Sequence, residues 1–192
     1  MTTAATTAPT REMIAKMTTR TTHSIGIGEC KVSNDPADIL VTHALGSCIG
    51  VMIYDPLARV GGLLHYMLPT STLDPLKARS RPFLFADTGI PELFRATYAL
   101  GAVKSRLIVM VAGGAQMFES NGTFNIGIEN HLALRKILAA AGVAITKEEV
   151  GGVSSRTVRM EIATGKIMLR TATGKLGAGE QEMTSRGTHR DL

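Results

Sequence analysis

Residues 49–68 read IGVMIYDPLARVGGLLHYML, two apolar segments joined through Asp55-Pro56-Leu57-Ala58. Aspartate opens turns by accepting hydrogen bonds from the backbone just ahead of it, and proline presets the second turn position. The stretch therefore predicts a β-hairpin. Pairing Asp55 with Ala58 across the turn sets Cys48 directly opposite His65 on one face, where paired Cβ atoms stand about 4.5–5.5 Å apart. A slip of one residue sends the histidine to the other face. A type I turn splays a two-residue hairpin, so absorption of Arg59 or Gly61 in a bulge is the alternative to that register.

Outward from this hairpin, ILVTHA (39–44) and RLIVMVAGGA (106–115) are short branched apolar runs closed by small residues, the pattern of buried strands. RTVRMEIATGKIMLR (156–170) alternates Val158, Met160 and Ile162 with polar residues and turns at ATGK, a second hairpin with one buried face. Ile90, Leu93, Phe94, Thr97 and Tyr98 recur at helical spacing, with Pro91 and Glu92 suited to a first turn and Gly101 to a stop. A second helix starts near Asn125, carries Leu134, Ile137, Leu138 and Ala141 on one stripe and ends at Gly142. Strands with interspersed hairpins and two helices make an α+β fold, a mixed α/β sandwich. Uniform βαβ alternation, and with it a doubly wound nucleotide fold, is not indicated.

The chain has 192 residues, enough for one domain with a proper core and short for two. Residues 1–22 are rich in Thr and Ala without apolar periodicity and predict a disordered lead-in; residues 23–174 form the domain; residues 175–192 predict a polar tail. With 3 Tyr, 5 Phe and no Trp there are few platforms for stacking bases, and nucleic-acid binding is not expected. The formal charge of +5 is scattered and implies at most a mild preference for acidic surfaces. The two cysteines make neither a disulfide framework nor a metal-type spacing, which fits a reducing compartment. No secretory signal and no apolar run long enough for a bilayer is present, so a cytoplasmic protein without membrane insertion is expected.

Chemistry gives the Cys48 and His65 pair a use. A thiol is mostly protonated at neutral pH, and an adjacent imidazole supports the thiolate that attacks. Gly46 and Ser47 permit a tight backbone approach and offer amide donors where an oxyanion could form. Buried cysteine and a satisfied core histidine are equally ordinary, and on chemistry alone both readings stand. Cys30 has no evident acid–base neighbour and reads as structural. His43 points to the other face of a regular strand from its neighbours. AGGAQMF (112–118) lacks the GK[ST] of a phosphate loop, GIGE (26–29) is too short for a dinucleotide fingerprint, and His23, His131 and His189 lack metal-ligand spacing, so no cofactor and no metal are expected.

Several segments together resemble the CheD family of chemoreceptor glutamine deamidases. THALGSCIGVMIYDP (42–56) is similar to the family's Thr-(x)4-Ser-Cys segment with its following strand, and GGLLHYMLP (61–69) to its segment around a histidine. FADTGIPELF, AGGAQMF, NIGIEN and GGVSSRTVRMEIATGKIMLR follow in the family's order, and coverage runs from IGIGECKVS to the last strand. The resemblance implies a three-layer α/β/β sandwich related to the catalytic domain of glutamine-deamidating toxins. It also implies that Cys48 is the nucleophile, His65 the base and Thr42 the third member that holds the imidazole; Ser47, by its backbone amide next to the cysteine, is the candidate oxyanion and substrate-binding residue. The implied reaction converts glutamine side chains of methyl-accepting chemotaxis receptors to glutamate through a cysteine thioester, with release of ammonia. Some members hydrolyse glutamate methyl esters, and transglutamination shares the thioester. The implied partners are cytoplasmic receptor helices and the CheC phosphatase; a non-catalytic adaptor that regulates CheC is the competing reading.

Overall fold

In the computed structural model, residues 19–116, 125–172 and 180–183 are described. Among the described residues, ten strands form two five-stranded sheets. The first has the order β1-β3-β8-β9-β10, from β1 (Thr21–Ser24), β3 (Asp38–Leu45), β8 (Arg156–Glu161), β9 (Ile167–Thr171) and β10 (Glu180–Glu182). The second has the order β2-β5-β4-β6-β7, from β2 (Glu29–Ser33), β5 (Val60–Tyr66), β4 (Ile49–Asp55), β6 (Ile108–Gly113) and β7 (Lys147–Val150). A short helix α1 (Pro75–Ser80) follows β5, and two longer ones, α2 (Ala86–Ala99) and α3 (Ile126–Ala140), complete the α-helices among the described residues.

Two apolar clusters order these elements into layers. Leu40, Val158, Met160 and Leu169 of the first sheet pack against Met52, Leu63 and Met110 of the second. On the far side of the second sheet, Val51, Ile53, Leu64 and Val111 pack against Ile90, Leu93, Leu134 and Leu138 of the two helices. The second sheet is thus covered on both faces, which is why every residue of β4 and β5 is buried and why the hairpin reads as continuous apolar sequence. Adjacent glycines let both neighbours close in. A Cβ on Gly61 would stand 2.5 Å from Cδ1 of Ile162, the residue after β8, and one on Gly62 would stand 2.8 Å from Leu93 Cδ1 of α2.

The hairpin forms, with a different register from the predicted one. Asp55 pairs with Val60, so the turn holds four residues, and Gly50 stands opposite His65. Arg59 at φ 52° supplies the left-handed residue that closes the longer turn. Asp55 Oδ1 accepts from the amides of Leu57 and Ala58 at 2.9 and 3.1 Å, as a turn-opening aspartate does.

The α2 helix starts at Ala86, five residues before Pro91, which lies inside it. Its N-cap Phe85 makes no side-chain cap; instead the Ala86 amide donates to Leu68 O at 2.9 Å, so the chain after β5 caps the helix. The second helix begins where its sequence indicates, Asn125 accepting from the Ile128 amide at 3.2 Å. Thr21 and Thr22, inside the expected lead-in, belong to β1 beside Asp38 and Ile39, and β10 with the buried Met183 lies inside the expected tail. Residues 1–18 and most of 173–192 lie outside the described residues. Among the described residues no helix is long and apolar enough to cross a membrane.

Candidate functional site

Two side chains meet between the sheets. Thr42 is the last regular pair of β3 with β8, opposite Val158, before the strand bulges through Ala44 at φ 53°. Both Thr42 and His65 are buried, and Thr42 Oγ1 lies 2.8 Å from His65 Nδ1. The direction of this bond follows from its neighbour. Thr42 Oγ1 is also 2.8 Å from Ile25 O, a carbonyl that can only accept, so the single hydroxyl proton goes there. The hydroxyl oxygen must then accept from Nδ1–H. Neutral His65 is thereby held in the tautomer whose Nε2 carries the free lone pair, and Nε2 is buried with no partner among the described residues.

Cys48 sits in the crossover from β3 to β4, with its side chain among the inter-sheet cluster. Continuing the observed register sets it opposite Met67, so it is the diagonal neighbour of His65 on the same face instead of its direct partner. No hydrogen bond joins the thiol to the imidazole among the described residues. Burial pushes the Cys48 thiol up, partly offset by its own backbone amide. Burial also pushes His65 down from 6.5, opposed by the Ile25 carbonyl and by Glu29. Both shifts favour the neutral forms, a thiol and an imidazole on the same face of the second sheet.

The backbone around Cys48 is clamped at three successive carbonyls. The Ala115 amide donates to Gly46 O at 2.8 Å, the Gly114 amide to Cys48 O at 2.8 Å, and Asn130 Nδ2 to Ser47 O at 3.0 Å. Gly113, at φ 116°, lies so close to Cys48 O that a Cβ there would overlap it. The glycines of AGGAQMF thus permit backbone contact with the cysteine segment. Asn130 was not singled out by the sequence reading. Its signal was present: with Gly127, Leu134 and Leu138 it lies on the buried stripe of α3, where a polar side chain calls for partners.

The remaining candidates fall away from this centre. His43 is exposed. Cys30 on β2 packs toward the helical layer, on the opposite face of the second sheet from the inter-sheet cluster, and burial raises its thiol to about 12. His23 and His131 each contact one carboxylate, of Asp38 and Glu148. His189 lies outside the described residues. Among the described residues no group of three His, Cys, Asp or Glu could hold a metal ion.

Comparison with known proteins bears on this arrangement. The family model CheD, chemotactic sensory transduction, matches residues 67–171. A probable chemoreceptor glutamine deamidase CheD of Solibacter usitatus is 52% identical over 146 residues, 76% of this chain and 86% of that protein. A stretch of 146 residues in a chain of 192 necessarily takes in Cys48 and His65. The probable chemoreceptor glutamine deamidase CheD 1 of Syntrophus aciditrophicus is 52% identical over 79% of this chain and 95% of its own. The chemoreceptor glutamine deamidase CheD of Thermotoga maritima is 41% identical over 82% and 94%. Among solved structures, a Neisseria meningitidis protein of family model DUF152 aligns with TM-score 0.43 and 11% identity over 74% of this chain and 66% of that one, a likeness too slight to inform the fold or the function.

Proposed function

The chain belongs to the CheD family, and from that membership we propose that it deamidates glutamine side chains of chemoreceptors, with Cys48 as nucleophile, His65 as general base and acid, and Thr42 as the residue that holds the imidazole. The Cys48 thiol gives its proton to His65 Nε2 as sulfur attacks the carboxamide carbon. The backbone amides of Ser47 and Cys48 receive the developing oxyanion. His65 returns the proton to the departing nitrogen, ammonia leaves, and a thioester remains. Water, deprotonated by His65, then attacks the thioester; the thiol is restored and the substrate carries a carboxylate where it had an amide.

The observation that carries this reading is the Thr42–His65 hydrogen bond with its forced direction, which leaves Nε2 free on the face shared with Cys48. A purely adaptor protein that binds the CheC phosphatase has no use for a buried imidazole with an unoccupied lone pair. CheC binding is compatible with catalysis and is part of the proposal, as are the cytoplasmic location that receptor helices require and the fold relation to toxin deamidases, which rests on the sequence resemblance.

The test is ammonia release from a receptor cytoplasmic fragment, with mass spectrometry of the fragment to locate the gain of about 1 Da. Cys48→Ser is expected to abolish release while retaining the wild-type melting temperature within a few degrees, and Cys30→Ser to keep activity. A dead Cys30→Ser with an active Cys48→Ser overturns the assignment. Absence of ammonia from the folded wild-type chain, with CheC binding intact, would favour the adaptor.

A further inference from the structure

Asn130 is fully buried, and its Nδ2 donates both to Ser47 O at 3.0 Å and to Met67 O at 2.7 Å. Both partners are carbonyls, so the atom between them has to be the amide nitrogen, and the orientation of the side chain is settled. The place is where the β4–β5 ladder opens. Ile49 and Tyr66 are its last pair; one step further Cys48 and Met67 would face each other, but the strands diverge there. The amide of Asn130 fills the divergence and binds a carbonyl from each side. The Tyr66 hydroxyl donates to Asn130 O at 2.8 Å, so α3 is bolted to the same point.

Holding Ser47 O also aims an amide. In a planar trans peptide the C=O and the following N–H point in opposite directions, so fixing Ser47 O toward α3 turns Cys48 N–H away from it. The Gly46–Ser47 peptide is fixed separately, by the Ala115 amide on Gly46 O. Neither Ser47 N–H nor Cys48 N–H donates to another backbone group among the described residues. The Cys48 amide lies beside its own sulfur.

We propose that Asn130 is a positioning residue for catalysis, which clamps the Ser47 carbonyl and so aims the Cys48 N–H at the oxyanion of the tetrahedral intermediate. The proposal rests on the deamidase reading above. Asn130 also leaves its Oδ1 buried and without a partner among the described residues. An apolar side chain on this stripe would avoid that cost and would leave Ser47 O and Met67 O unheld.

Two reactions of the same sulfur separate this role from simple support of the loop. Deamidation passes through an oxyanion; alkylation by iodoacetamide is a displacement at a saturated carbon and needs the thiolate without an oxyanion donor. In a Cys30→Ser background, Asn130→Ala, shown to be folded by its thermal melt, is expected to lose about 10- to 100-fold in kcat for ammonia release. That loss is somewhat below the effect of deleting an oxyanion donor outright. KM and the Cys48 alkylation rate should stay within about threefold. Asn130→Ser, which keeps one donor, should recover part of kcat, and it serves for the same comparison if the alanine variant does not fold. Unchanged kcat, or deamidation and alkylation falling in step, overturns the proposal. An inactive wild type, or an active Cys48→Ser, would instead overturn the reading on which it rests.

Discussion

A threonine hydroxyl can do only half of what a carboxylate does for an imidazole. It accepts from Nδ1–H and fixes the tautomer, but it carries no charge to stabilise imidazolium. Burial pushes His65 in the same direction, away from the protonated form. The base form of His65 therefore persists to lower pH than in a solvated histidine, and the acid limb of kcat/KM, which reports loss of the base as pH falls, is expected below 6.5. A pH profile with that limb at or above 6.5 would show the imidazole to be charge-stabilised in the free enzyme. Thr42→Val removes the hydroxyl with little change of shape and should lower turnover about tenfold, against about 100-fold or more for His65→Ala, the general-base contribution. Thr42→Ser should recover much of the loss. Single-turnover ammonia release decides it: wild-type rates in Thr42→Val would make Thr42 a strand residue that happens to touch the ring.

At the scale of elements, the β4–β5 hairpin carries the site because its far end is tied down. Asp55, fully buried, accepts two hydrogen bonds from the Arg106 guanidinium Nε and one from Nη2, together with the amides of Leu57, Ala58 and Val103. Burial by itself would raise its carboxyl, yet Arg106 and the amides hold it well below the usual carboxylate range. Breaking such a pair from one side leaves a buried charge or a set of unmet donors. Asp55→Ala is accordingly expected to cost about 3–5 kcal/mol in urea unfolding; a cost under about 1 kcal/mol would mean that the turn is held by packing alone. This hairpin also shows how far the sequence was legible. Apolar runs, the turn-opening aspartate and the shared face of Cys48 and His65 were readable, because parity survives a shift of two. The register was not, since it depends on Arg59 adopting φ 52°, a conformation that its residue type does not advertise. The start of α2 escaped for a similar reason: its first amide is satisfied by Leu68 O, a tertiary bond with no local cap to announce it. Asn130 was legible only as a polar residue on an apolar stripe; that it clamps Ser47 O depends on where the helix docks.

The candidate site belongs to neither sheet alone. The chain passes from the first sheet to the second after β1 and again after β3, and these crossovers supply Ile25 O and Cys48, while Thr42 and His65 reach toward each other from opposite sheets. Thr42 and His65 therefore meet only while the two sheets stay packed, which, on the proposed roles of the two residues, makes the inter-sheet core a condition of catalysis as well as of stability. The polar C-terminal stretch contributes to that core. The β10 strand pairs with β9, and Met183 follows it, 1% exposed, in the same cluster as Met52, Met160 and Ile167, with its amide donating to Ile167 O at 2.7 Å. Composition gave little warning, because one methionine among Gly, Glu and Gln makes no apolar period. Met183→Ala is expected to lower stability by about 2–5 kcal/mol, the range for emptying a buried methionine site. In a chain of this size that corresponds to roughly 2–4 °C in melting temperature for each kcal/mol. Truncation after Ala172 should cost more, since it removes the β10 ladder along with the side chain. At a temperature where each variant is still folded, ammonia release per folded molecule should be unchanged by Met183→Ala. A truncated chain that melts with the full-length protein would show that the first sheet needs no fifth strand to hold Thr42 against His65.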